Sequence, residues 1–167
     1  MRLKWSPLPD HLSHLSQKLQ DILDNWKGTP YLQQSMKPKY GVDCVRFACG
    51  ALDDVYGIKR SPTRMYPADQ SLHDREGAVA AMKWIMRRYE PNHRVDFKND
   101  PVEPFDLVVS GPEHGGPGHA LIVGVTKPQL WHIAGPNKFV YPTSMNFTGS
   151  GQKVFAVFRC SDREEQW

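Results

Sequence analysis

Gly118-His119-Ala120-Leu121-Ile122-Val123-Gly124 and, a short turn later, Gln129-Leu130-Trp131-His132-Ile133-Ala134 read as two successive strands. Both runs are rich in β-branched, aromatic and apolar residues, and both are bounded by Gly and Pro. A short turn between them makes them antiparallel neighbours. That pairing places His119 and His132 side by side, each at one end of its strand. Gly115-Gly116-Pro117-Gly118 leads into the first strand as a flexible loop.

Working outward, further β-rich runs are expected at 105–110, 138–141 and 153–159, separated by Gly, Pro and Asn clusters. The half of the chain before Glu90 has a different rhythm. Leu12, Leu15, Leu19, Ile22, Leu23 and Trp26 recur at gaps of three and four, the apolar face of a helix running from about Pro9 to Trp26. Gly28 and Pro30 end it, and 31–42 reads as a loop. A second helix is expected from Asp43 to about Tyr56, with Asp43 as its cap and Gly57 after it. The stretch 61–76 is irregular, and a third helix covers about 77–89. Helices first and strands later give an α+β fold with an antiparallel sheet, read as one domain over residues 1–167.

Fourteen prolines and thirteen glycines argue against an all-helical bundle. The net charge of +3 is compatible with an anionic polymer as target, but no Lys/Arg cluster supports nucleic-acid binding. Three cysteines exclude a complete disulfide framework. No apolar run approaches the roughly 18 residues of a membrane span. The opening residues lack the apolar core of a secretory signal, so the chain is expected to be cytosolic at synthesis.

Cys44 falls in the first turn of the capped second helix. Unpaired backbone N–H groups and the helix dipole favour negative charge there, so a stabilised thiolate is expected. The same N–H groups suit an oxyanion. With His119 as base and His132 holding its ring, the set has the parts of a nucleophilic hydrolase. The plain alternative for Cys44 alone is a small buried hydrophobe.

Five pieces of sequence, in order, resemble the NlpC-type cell-wall cysteine peptidases, a papain-like family. Gly28-Thr29-Pro30-Tyr31 is similar to the entry motif, whose tyrosine lies beside the nucleophile. Gly41-Val42-Asp43-Cys44 resembles the motif that delivers the cysteine. Pro104-Phe105-Asp106-Leu107-Val108 resembles the strand that usually reads Gly-Asp-Leu-Val, and the two histidine strands complete the set. The resemblance covers roughly residues 28–141. It implies a papain-like NlpC-type core with the cysteine helix packed on the C-terminal sheet, and a peptidoglycan stem peptide as substrate. The sequence departs from the family at Val45-Arg46, where Ser-Gly is usual. It departs again at Leu32-Gln33-Gln34, where Trp-Gly-Gly often stands, and at Phe105, which replaces a glycine. Such departures resemble phage and prophage tail-associated members, which implies tail proteins as partners.

Tyr31, Asp43, Val45 and Arg46 form the expected substrate and oxyanion side of the site. For each a plainer role is open: a packed loop aromatic for Tyr31, a helix cap for Asp43, a solvated or salt-bridged position for Arg46. His114 together with His119, His132 and Cys44 would supply ligands for zinc, but the hydrolase reading already accounts for them, so no metal and no cofactor is expected. Cys49 is expected in the core, Cys160 at the end of the last strand, and 162–167 as a frayed terminus. His11, His14, His73 and His93 are expected on the surface. Two rival readings keep the same fold: a structural tail-assembly protein with little activity, and a delivered amidase toxin or acyltransferase using the same thiol.

Overall fold

The computed structural model describes residues 1–33, 35–56, 75–89 and 93–159. Expectations for Gly57, the stretch 61–74, His73, Cys160 and the terminus 162–167 fall outside the described residues.

The first helical segment is two elements. A 3₁₀ turn, Asp10–Leu15, leads directly into α1, Ser16–Trp26. Together they bury Leu12, Leu15, Leu19, Leu23 and Trp26, the stripe read from the spacing. Gly28, at φ 77°, turns the chain away. Lys39 closes this end from a distance: its Nζ donates to the carbonyls of Asp24 (3.2 Å) and Lys27 (2.7 Å), a favourable place for a cation at a helix C-terminus.

The segment expected as a loop contains a small antiparallel ribbon, β1 (Met36–Lys37) with β2 (Gly41–Val42). Next comes α2, Cys44–Tyr56. It lies against α1, and Gly50 permits the close approach. A Cβ there would come within 2.6 Å of the Trp26 ring. Trp26 meets Phe47 edge to face and its indole N–H donates to Asp54 at 2.8 Å. Cys49 is fully buried, the core role expected of it. The third helix, α3 (Arg75–Tyr89), packs on α2 and the sheet, burying Met82 and Ile85.

The remaining strands are β3 (His93–Arg94), β4 (Leu107–Pro112), β5 (His119–Val123), β6 (Gln129–His132), β7 (Tyr141–Ser144) and β8 (Gln152–Arg159). They form one six-stranded sheet in the order β3-β8-β4-β5-β6-β7, antiparallel at every pairing. This is the α+β arrangement expected, helices first and sheet second. β3 was not anticipated. The strand expected at 138–141 is displaced, because 138–140 pair elsewhere. Tyr31 N–H donates to the Lys138 carbonyl, Val140 N–H to Thr29, and Gly28 N–H to Val140, each at 2.9 Å. The entry segment 28–31 is thereby stitched to the strand region, and β7 begins only at Tyr141. Pro142 is tolerated there because β7 is an edge strand.

Alternation along the strands divides the core. Ala120, Ile122, Trp131 and Ile133 face the helices. Leu121, Val123 and Leu130 face the opposite side, where they join Leu3, Val102 and Met145.

Ahead of β4, Asp106 is fully buried and accepts from Arg159 Nε (3.1 Å) and Nη2 (2.9 Å), and from Glu103 N–H (2.8 Å). The preceding residue explains why glycine is usual there. Phe105 sits at φ 63°, in the left-handed region, yet is 2% exposed. Its buried ring offsets a backbone strain of about 1 kcal/mol. Both Phe105→Gly and Phe105→Ala should destabilise the protein by losing that ring, but glycine should cost less than alanine by about 1 kcal/mol. Urea unfolding midpoints of the two variants check this reversal of the usual order.

Candidate active site

Asp43 caps α2. Its Oδ1 accepts the Arg46 N–H at 2.9 Å and its carbonyl accepts the Phe47 N–H at 2.8 Å. The other carboxylate oxygen meets Arg46 Nη1 at 3.1 Å, with both side chains buried. Arg46 is therefore salt-bridged to the cap. Val45, the other departure from the family pattern, is fully buried among the helix-side core residues.

Cys44 is 6% exposed. The helix start favours the thiolate, as expected, but burial reverses the outcome. Backbone N–H groups of Ala120, Val45 and Cys44 itself point at the sulfur and favour the thiolate. Burial outweighs them, and the neighbouring Asp43 carboxylate adds to it, so the thiol is pushed up to about 12. The resting site holds a neutral thiol. Tyr31 shares this environment: burial first, then the charges of Asp43 and Cys44, raise its phenol to about 12. Tyr31, Asp43 and Cys44 therefore form one electrostatic cluster at the start of α2.

His119 opens β5, and its Nε2 lies 2.6 Å from His132 Nδ1. The rings meet edge to face at 4.9 Å between centroids. Burial lowers His119 to about 3, helped by His132, and burial lowers His132 to about 4. Both imidazoles are neutral over the physiological range. One ring must donate and the other accept, and the direction decides what His119 can do. If His119 Nε2–H donates, its Nδ1 carries a free lone pair. If His132 Nδ1–H donates, His119 Nδ1 is protonated and is no base.

The Cys44 sulfur lies against the amide of Ala120, the residue after His119. Strand alternation puts Ala120 on the helix side and His119 on the other, so thiol and imidazole flank the first peptide of β5. Among the described residues no hydrogen bond joins them. On the His119 side an open cavity of ≈ 870 Å³ includes His119, His132, Ser110, Leu130 and Thr143 in its walls. His114 lies on the same wall, on the loop before Gly115. Among the described residues no group of three or more His, Cys, Asp or Glu side chains is placed to hold a metal ion. Nor is any helix among them long and apolar enough to cross a membrane.

Sequence reasoning missed Tyr141. It stands directly across from His132 in the β6–β7 register, with ring centroids 4.8 Å apart. Only the true strand boundary, shifted by the pairing of 138–140, brings it there.

No protein-family model and no curated protein sequence matches the chain. Solved structures do. One is the NlpC/p60 domain of the peptidoglycan hydrolase SagA, 17% identical, with 86% of this chain and 97% of that one covered and a TM-score of 0.53. Another is a protein similar to lipoprotein, of the NLP/P60 family, from Staphylococcus aureus subsp. aureus Mu50. It is 14% identical with a TM-score of 0.52; 93% of this chain is covered, against 43% of that longer one. The chain shares the fold of these NlpC/p60 structures.

The titrations carry a stability signature. Unfolded imidazoles protonate near 6.5, whereas the folded ones hold out to about 3 and about 4. Between those values the unfolded chain binds more protons, so stability falls as pH drops through that window. The thiol acts at the other end. The folded protein keeps its proton to about 12 while the unfolded chain loses it from 9.0, so stability falls as pH rises above 9.0. Urea midpoints measured across pH should form a plateau between these limits, and His119→Gln with His132→Gln should flatten its acid side.

Proposed function

We propose that the protein is a cysteine hydrolase cleaving an amide bond in peptidoglycan stem peptides. The observation that carries the reading is the start of β5, where the Cys44 sulfur meets the Ala120 amide and the adjacent His119 ring pairs with His132. The fold shared with the NlpC/p60 domain of a peptidoglycan hydrolase supports the substrate class.

In this mechanism Cys44 Sγ attacks the carbonyl carbon while His119 Nδ1 takes the thiol proton. His119 lies at the strand's first position, where a rotation of the Cys44 side chain closes the gap while the His119–His132 pair stays as it is; unliganded sites often hold such pairs apart. Charge develops on the carbonyl oxygen beside the sulfur, within reach of the N–H groups that point there, with the Tyr31 hydroxyl as a further donor. His119 then gives its proton to the leaving amine as the C–N bond breaks. Water, deprotonated by His119, hydrolyses the thioester and returns the thiol. His132 keeps the ring in place throughout. Because thiol and imidazole both rest neutral, the ion pair forms only with substrate bound. Asp43 positions the sulfur through the helix cap, Arg46 neutralises Asp43, and Val45 contributes its N–H.

Cys44→Ala should abolish release of free amines from purified peptidoglycan while leaving the urea midpoint near that of the wild type. Undiminished release would overturn the proposal. A second reading, a structural protein on a peptidase fold with little activity, draws on the deep burial of the thiol. Wild-type protein that releases no more amine than Cys44→Ala would favour it. An association with phage tail proteins rests on the departures at Val45-Arg46, Leu32-Gln33-Gln34 and Phe105, and co-purification with tail components tests it. A toxin amidase and an acyltransferase are separated by products, since a transferase leaves no free carboxylate.

A further inference from the structure

The direction of the His119–His132 hydrogen bond decides whether His119 can act as a base, and the structure contains a group that can set it. His132 is 9% exposed and its Nε2 is buried without a hydrogen-bond partner. Its Nδ1 is already engaged by His119. A neutral imidazole has one proton to place. On Nδ1 the proton would be donated to His119, and His119 would lose its basic nitrogen. On Nε2 the proton needs an acceptor, because a buried unpaired N–H is costly. The aromatic ring packed on His132 is that of Tyr141, 4.8 Å away between centroids and tilted by 51°. An aromatic face carries partial negative charge and accepts an N–H.

We propose that Tyr141 is a positioning residue: its ring accepts the His132 Nε2–H and so fixes His132 as a hydrogen-bond acceptor at Nδ1. His119 must then donate through Nε2 and present an unprotonated Nδ1 to Cys44. The chain of protons runs from His119 Nε2–H to His132 Nδ1, and from His132 Nε2–H to the Tyr141 ring. Each nitrogen has one role, and no buried N–H is orphaned. The tyrosine hydroxyl plays no part, so any aromatic ring serves. Tyr141 is 38% exposed on an edge strand, so substitutions there leave the main core intact. This inference deepens the hydrolase reading and rests on it for its consequence, but the tautomer itself is a property of the free protein.

The test is ¹⁵N–¹H NMR of the histidine rings near neutral pH, with His132→Gln and His119→Gln used to assign the signals. The wild type should show His132 protonated at Nε2 and bare at Nδ1, and His119 protonated at Nε2. Tyr141→Phe should keep that pattern. Tyr141→Leu should lower the Nε2–H population of His132 relative to the other tautomer by about two- to fivefold, the size of a weak hydrogen bond to a ring. In peptidoglycan hydrolysis kcat should fall with the Nε2–H fraction of His132 in Tyr141→Leu, by less than the change in the tautomer ratio, with KM unchanged, and recover in Tyr141→Phe. A wild-type His132 protonated at Nδ1, or a tautomer unchanged in Tyr141→Leu, overturns the proposal whatever the activity. The expected tautomers in a protein that hydrolyses nothing overturn the hydrolase reading and leave the assignment of Tyr141 standing.

Discussion

The site depends on how β5 begins. Two consecutive residues of one strand serve opposite faces: Ala120 turns toward the helices and presents its amide to the Cys44 sulfur, while His119 turns away and pairs with His132. A slip of one residue in the β4–β5 or β5–β6 register would exchange these faces. The sheet prevents it, because Leu107, Ile122 and Trp131 must stay on the helix side. Packing of the apolar residues therefore aligns the chemistry. The helix contributes the other coordinate. Asp43 fixes where α2 starts, and Gly50 lets α2 lie close to α1.

The same burial that fixes these positions opposes their ionisation. The thiol is pushed up and both imidazoles down, each mainly because a charged form would lose its hydration. A site built this way rests uncharged. In the proposed hydrolysis the attacking ion pair needs the two charges to form together, each stabilising the other, with amide N–H groups already aimed at the sulfur. Asp43 pulls against this by raising the thiol, and Arg46 restrains that effect by holding the carboxylate. The Val45-Arg46 pair that departs from the family pattern thus has a local structural reason: Val45 fills core, and Arg46 neutralises the cap.

Much of this was legible in local sequence. The helical stripe from Leu12 to Trp26, the cap at Asp43, the Cys44 helix and the two histidine strands follow from short-range spacing and turn residues. The site residues Cys44, Asp43 and Tyr31 were expected near one another, and the charges that reach Tyr31 come from the other two. What escaped was non-local. The pairing of 28–31 with 138–140 joins segments a hundred residues apart, and no spacing rule announces it. It moved β7 to Tyr141, and with it the ring that packs on His132. Phe105 at positive φ also defied its residue type, since burial overrode a local preference. The neutral state of the thiol escaped for a related reason. A helix start can be read from sequence, but the depth of burial that cancels its effect cannot.

The central claim is that Cys44 performs the chemistry, and selective alkylation tests it most directly. The protein is treated with iodoacetamide for increasing times; at each time the fraction of Cys44 and of Cys49 modified is mapped by mass spectrometry and peptidoglycan hydrolysis is measured on the same sample. The account predicts activity falling in proportion to Cys44 modification and independent of Cys49. Full hydrolysis from protein whose Cys44 is completely alkylated would contradict it.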